Sequence, residues 1–295
     1  MTTASVPASR TAAAPVGRRA AARRLGLYAG IAAIVLWCLL PFYWMVVTAF
    51  RDVGYTFDTT PWPTHVTLDN FRTAFNTSRG NHFGQALVNS LVIGLATTGI
   101  AMLVGVFAAY ALARLRFRGK FLVLGAVLGA SMFPGVALVT PLFQLFTDIH
   151  WLGTYQALIL PDISFALPLT VWILTSFFAE MPWELEQAAR VDGCTPGQAF
   201  RLVILPLAAP GLFTTAILVF ISAWNEYLLA SLLSNGKAAV APVTVAIANF
   251  TGAQPHQEPY TAVMAAGTIV TIPLVLIVLL FQRRIISGLT AGAVK

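Results

Sequence analysis

LGLYAGIAAIVLWCLLPFYWMVVTAF, residues 25–50, runs for 26 positions without a single charged side chain. About 20 apolar residues cross the hydrocarbon core of a bilayer as a helix, so this run is long enough to span. It is also too long for the apolar stretch of a cleaved export signal, although Arg18 and Arg19 precede it. It ends without a small-x-small cleavage site, and it reads as a retained signal anchor. The same ruler marks further spans near 87–113, 121–146, 155–178, 209–230 and 261–281, with the first near 26–50. The expected fold is therefore all-α, a polytopic membrane protein with six transmembrane helices.

Composition agrees. Of 295 residues, 58% are hydrophobic and 10% are charged, against roughly 25% charged in a soluble domain. The net charge of +7 does not mark a nucleic-acid partner, because its basic residues flank apolar runs instead of lining a stripe. They cluster at Arg18, Arg19, Arg23 and Arg24, at Arg114, Arg116, Arg118 and Lys120, and at Arg283 and Arg284. Placing both termini in the cytoplasm puts 14 Lys and Arg inside and leaves 4 outside, at Arg51, Arg72, Arg79 and Lys237. The positive-inside rule favours that orientation. Residues 1–24 are poor in aromatic and β-branched side chains and are expected to be a disordered basic tail. Residues 25–295 form the transmembrane domain, with outer segments at 51–86 and 231–260 and a cytoplasmic tail at 282–295.

The cytoplasmic segment 179–208 is too long for a simple connection and reads as two short helices. Pro182 suits a helix start. Glu184 and Glu186 follow near the positive end of the first helix and Arg190 comes near its negative end. Gly193 supplies the stop. Thr195, Pro196 and Gln198 then form a capping box with proline at the first helical position. Leu185, Ala188 and Ala189 are expected on one face of the first helix, and Phe200, Val203 and Ile204 on one face of the second. Spacing alone is equally consistent with a hairpin lying on the membrane surface.

The same stretch, however, resembles the Glu-Ala-Ala loop of binding-protein-dependent ABC importers. The family pattern is Glu-Ala-Ala, three residues, Gly, nine residues, Ile-x-Leu-Pro. Here Gln187-Ala188-Ala189 leads to Asp192-Gly193 and, after nine residues, to Val203-Ile204-Leu205-Pro206. Gln187 stands at the leading glutamate, with Glu186 just before it, and Val203 stands for the isoleucine. Trp224-Asn225-Glu226-Tyr227 is similar to the aromatic-Asn-Glu signature of the oligosaccharide branch. The ending Gly288-Leu289-Thr290-Ala291-Gly292-Ala293-Val294-Lys295 resembles the tail of the second permease of maltose- and trehalose-type importers.

The resemblance implies a type I importer permease fold in the bacterial inner membrane. It implies a permease subunit of an ATP-driven sugar importer, with a second permease, an ATPase dimer carrying ATP and Mg, and a periplasmic or lipid-anchored sugar-binding protein as partners. By the same resemblance Glu186, Gln187, Ala188, Ala189, Asp192, Gly193, Leu205 and Pro206 couple to the ATPase, and Gly288, Leu289, Thr290 and Gly292 reach it from the tail. Asn249, Phe250 and Gly252 would belong to a loop entering the binding protein.

Polar groups inside the spans carry the remaining expectations. Glu226 falls two-thirds along the expected fifth span, where an acidic side chain costs roughly 2.5–3.5 kcal/mol on insertion scales. Asn225, Glu226 and Tyr227 either line a substrate path, hydrogen-bonding sugar hydroxyls, or leave Glu226 to join helices or meet water at the outer boundary. Trp224 reads as a packing aromatic. Asn89 and Ser90 are expected to bond backbone carbonyls between helices. Pro134 and Pro141, and Pro161 with Asp162 and Pro168, mark expected kinks. His65, His82, His150 and His256 lie in outer segments without metal spacing, and Cys38 and Cys194 suggest no disulfide.

Two other function classes compete. An ion-coupled secondary transporter would show internal repeats and intramembrane carboxylates, and only Glu226 stands out. A membrane enzyme would show clustered His, Asp, Glu or Cys. The chain also lacks a phosphate-binding loop, since Lys120, Lys237 and Lys295 are its only lysines. It is therefore expected to be no enzyme, with ATP hydrolysis left to a partner.

Overall fold

The computed structural model describes the backbone of residues 16–77, 80–250 and 260–291, with side chains described over 23–77, 80–250 and 260–281. Thirteen α-helices follow in order: α1 Val16–Ala49, α2 Asp69–Ala74, α3 Phe83–Arg114, α4 Lys120–Ser131, α5 Gly135–Asp148, α6 Tyr155–Glu180, α7 Trp183–Val191, α8 Pro196–Ala199, α9 Leu205–Leu207, α10 Ala209–Trp224, α11 Leu228–Leu233, α12 Val243–Ala248 and α13 Tyr260–Ala291. Among the described residues no strand occurs beyond one isolated bridge, Arg51 to Val66.

Helices α1, α3, α6 and α13 are each long and apolar enough to cross a membrane. The pair α4 and α5, bent by 86°, and the segment 196–207 with α10, bent by 71°, bring the possible spans to six. The centre of the bundle is α3, which packs along α6 and α10. Close approach there needs a missing side chain: a Cβ at Gly105 would lie 2.5 Å from the Thr170 methyl of α6. Helix α4 and residues 23–44 of α1 have no fully buried side chain, so most of their apolar surface is left to lipid or to another subunit.

Several element boundaries differ from the sequence expectation. The first helix already begins at Val16, and Val16–Arg24 are helical turns of α1; residues 1–15 lie outside the described residues. Ala and Arg are strong helix formers, and here they extend a span already nucleated. At its other end the chain continues α13 through Gly288, Leu289 and Thr290 to Ala291, while Gly292 lies outside the described residues. Of the expected proline positions, Pro134 interrupts the helix, at the 86° bend between α4 and α5. Pro141, Pro161 and Pro168 sit inside continuous helices. Pro161 and Pro168 are buried within α6. Ser164 and Thr170 hydroxyls donate to the Leu160 and Ala166 carbonyls alongside them.

The outer lobe 51–66 is organised by Arg51, which is almost fully buried. Its guanidinium donates to the carbonyls of Asp58 and Thr60 and lies 4.8 Å from the Trp44 ring. The Thr60 hydroxyl and then its N–H hold the Asp58 carboxyl below its usual range, with Thr64 and Arg51 adding to this. Thr67 accepts from the Asp69 N–H at the start of α2. Asn70 donates to the carbonyls of Ala49 and Arg51, tying that helix to the end of α1.

Candidate functional site

Two places carry chemistry: the hairpin 183–207 and a cleft at Glu226. In the hairpin, α7 ends in the left-handed turn that its glycine permits. Gly193 has φ +92°, its N–H donates to Arg190, and the Cys194 N–H donates to Ala189 at 3.0 Å. The expected capping box is present, with Gln198 N–H to the Thr195 hydroxyl at 3.3 Å and Thr195 N–H to the Gln198 side chain at 2.8 Å. Residues 200–204 then widen into a π turn in which the Leu205 N–H reaches back to Phe200. Pro206 has no N–H to continue the α register, so the wider turn precedes it.

The faces of α7 are not those expected from Leu185, Ala188 and Ala189. Glu186 (7% exposed) and Ala189 point into the bundle, whereas Glu184, Gln187, Ala188 and Val191 (87% exposed) face out. The cause is a specific partner: the Tyr110 hydroxyl of α3 donates to Glu186 Oε1 at 3.1 Å. Nearby, Arg114 donates to the Met181 carbonyl at 2.8 Å and lies 5.2 Å from the Trp183 ring. The Phe200 and Ile204 side chains complete the anchor, packing with Tyr110 and Phe178. Leu205 is half-buried, while Asp192 and Pro206 are exposed.

At the other end of α10, the fifth span stops at Trp224 and not near residue 230. Asn225 is the cause: its side chain donates to the Ile221 carbonyl at 2.8 Å and competes with the next helical turn. Glu226 therefore lies in a break, not within a helix. Its two oxygens accept the N–H groups of Leu229 and Ala230 at 2.9 and 2.8 Å, starting α11. Glu226 also lines a cleft of about 200 Å³ with Thr97, Gly135, Asp162, Phe165 and Ser222. Asn225 and Tyr227 are not among its lining residues. Sequence reading took Asp162 only as part of a proline kink and passed over Thr97. A carboxylate seven residues into an apolar helix was the available signal.

The polar pair Asn89 and Ser90 fixes the outer segment. Asn89 donates to the Ala238 and Ala241 carbonyls at 3.2 and 2.9 Å and accepts from Gln85 and Tyr155. Ser90 accepts from the Val243 N–H at 2.8 Å, an acceptor where a donor was expected. This holds α12 down on the bundle, with Val243, Val245 and Phe250 buried. Segment 242–250 is thus packed on its own helices, not extended. Phe250 shares a core with Phe220 and Trp224, so Trp224 is a packing aromatic. Asn249 remains exposed, and Gly252 lies outside the described residues. Among the described residues no group of His, Cys, Asp or Glu is placed to hold a metal.

A long central helix against two others, a bent hairpin at one end and a lid of short helices at the other define this fold, and residues 101–290 match the sequence profile of the family described as binding-protein-dependent transport system inner membrane component. The chain belongs to that family. It is a multi-pass inner-membrane permease subunit of a transport system. The permease is 51% identical over 275 residues to the trehalose transport system permease protein SugB of Mycobacterium tuberculosis, covering 93% of this chain and 99% of that protein. It is 42% identical to the trehalose/maltose transport system permease protein MalG of Thermococcus litoralis, covering 92% and 97%. Among solved structures, the permease superposes on a chain of a bacterial ABC transporter involved in alginate import with a TM-score of 0.73 at 20% identity. That match covers 88% of this chain and 96% of the other, and it supports the type I importer permease fold.

Proposed function

We propose that this permease forms, with a second permease subunit, the membrane path of an ATP-driven importer of a neutral disaccharide such as trehalose or of a maltose-type oligosaccharide. The observation that carries the reading is the 51% identity, over nearly the full length of both chains, to a trehalose transport permease. A partner ATPase dimer binds ATP and Mg, hydrolyses the nucleotide and closes on the hairpin, and a periplasmic or lipid-anchored binding protein delivers sugar from outside. The exposed stripe of α7, with Gln187, Ala188 and Val191, meets the ATPase. Buried Glu186 and Ala189, the Gly193 turn, the exposed Asp192, and Leu205 with Pro206 hold that stripe in place. The ending Gly288, Leu289, Thr290 and Gly292 reaches toward the ATPase pair. On the outer face exposed Asn249, together with Gly252, contacts the binding protein, while Phe250 is buried against the bundle.

The test is reconstitution of the purified four-component complex in liposomes with radiolabelled trehalose or maltose outside. Uptake that needs ATP in the lumen and the loaded binding protein supports the reading. Uptake driven by a sodium or proton gradient without ATP would replace it with the secondary-transporter class.

A further inference from the structure

Within that sugar-importer reading, on which it rests, we propose that the cleft between α3, α5, α6 and α10 is a subsite for one sugar ring, held by Asp162 and Thr97 of this subunit against the ring of Phe165. Asp162 is 9% exposed and has no hydrogen-bond partner among the described residues. Neither it nor Glu226 is paired with a basic side chain there. Thr97 is fully buried and its hydroxyl is unpartnered. Thr170, Thr175, Thr215, Thr268 and Thr271 each return a hydroxyl to their own helix; Thr48 and Thr98 are open like Thr97, and what sets Thr97 apart from them is its place on the cleft. A polar group left open in a lipid-embedded bundle is costly unless something visits it.

Size and lining choose the visitor. The cleft holds about 200 Å³, several times the share of roughly 30 Å³ that one water occupies in the liquid. That is far more than a bare cation uses, and the remaining walls are apolar: Gly135, Phe165, Ala166, Leu228 and Leu229. Carboxylate acceptors beside an aromatic ring, Asp162 and Phe165 being three residues apart on α6, suit a pyranose, whose hydroxyls donate while its C–H face lies on the ring. Asp162 accepts hydrogen bonds from two hydroxyls, Thr97 donates to a sugar oxygen, and Glu226 offers its remaining lone pairs. A narrow extension lined by Asp162, Glu226 and Ser90 runs from the cleft toward Pro242, beneath the outer segment.

The experiment uses the four-component complex in liposomes, reading sugar delivered per ATP hydrolysed with trehalose and maltose as probes. Asp162→Asn should lower this ratio about tenfold and Thr97→Val, of equal shape, about threefold. Ser176→Ala, an exposed hydroxyl bonded to Trp172, should not change it. If Asp162→Asn fails to assemble, Thr97→Val decides alone. Ratios unchanged in an assembled Thr97→Val complex overturn the subsite while leaving the importer intact. Uptake by the unaltered complex that is abolished when choline replaces all alkali cations overturns it in favour of a cation site. Uptake of neither sugar by the unaltered complex defeats the importer reading and the subsite with it.

Discussion

Glu186 and Gln187 are neighbours in sequence with opposite duties. The family's glutamate position is filled by exposed Gln187, and the carboxylate sits one residue earlier, turned inward onto Tyr110. Removing it leaves the Tyr110 hydroxyl without its partner in the packed core around Phe178, a change of the kind that costs about 1–3 kcal/mol. Glu186→Ala should therefore lower the thermal aggregation midpoint of the detergent-solubilised permease even with no ATPase present. Gln187→Ala should stay within about 0.5 kcal/mol of the unaltered chain, as for ordinary surface substitutions, but retain less ATPase in affinity pull-down. Equal effects of the two substitutions on the midpoint would refute this division. Gly193 belongs to the same hinge, although for a backbone reason: a Cβ there would meet nothing within 4 Å. Its constraint is the left-handed φ, so Gly193→Asn should be tolerated better than Gly193→Val.

Among the elements, the outer lid formed by α11 and α12 hangs on Asn89, which is 0% exposed and satisfies four hydrogen bonds at once. Asn89→Ala strands two carbonyls and leaves the Tyr155 hydroxyl only the Ala239 carbonyl at 3.4 Å, so segment 236–250 should become sensitive to limited proteolysis in outward-oriented vesicles while α3, α6 and α10 stay protected. Protection of that segment equal to the unaltered protein would show that apolar packing alone holds it. How far the sequence announced its elements follows the same logic. Long apolar runs and the motif Thr195-x-x-Gln198 were legible, because span length and capping are local properties. Pro161 and Pro168 do not end α6, because whether a proline breaks a helix depends on neighbours that only the fold supplies. The end of α10 at Trp224 was hidden for a related reason: Asn225 and Glu226 end the helix through their own side-chain bonds, not through glycine or proline. The cleft that Thr97 and Asp162 both line joins residues far apart in sequence and carries no local period at all.

For the molecule as a whole, orientation follows from charge, since 14 of 18 Lys and Arg fall on one set of loops. The fold gives this a consequence that can be checked at single residues. Hairpin 183–207 and the loop Leu115–Gly119 lie at the chain's connections on the proposed inner side, and α2 and α12 on the outer. In a background with Cys38 and Cys194 replaced by serine, Phe75→Cys and Asn249→Cys should react with an impermeant thiol reagent added to intact cells. Both positions are exposed. Phe250→Cys, one residue on, should react slowly despite sharing that side, because Phe250 is packed with Phe220 and Trp224. Arg118→Cys, exposed on the opposite loop, should react only after the cells are opened. Labelling of Arg118→Cys from outside would invert the topology drawn from charge. Fast labelling at residue 250 would instead leave the topology standing and show that the outer lid is not packed on the bundle.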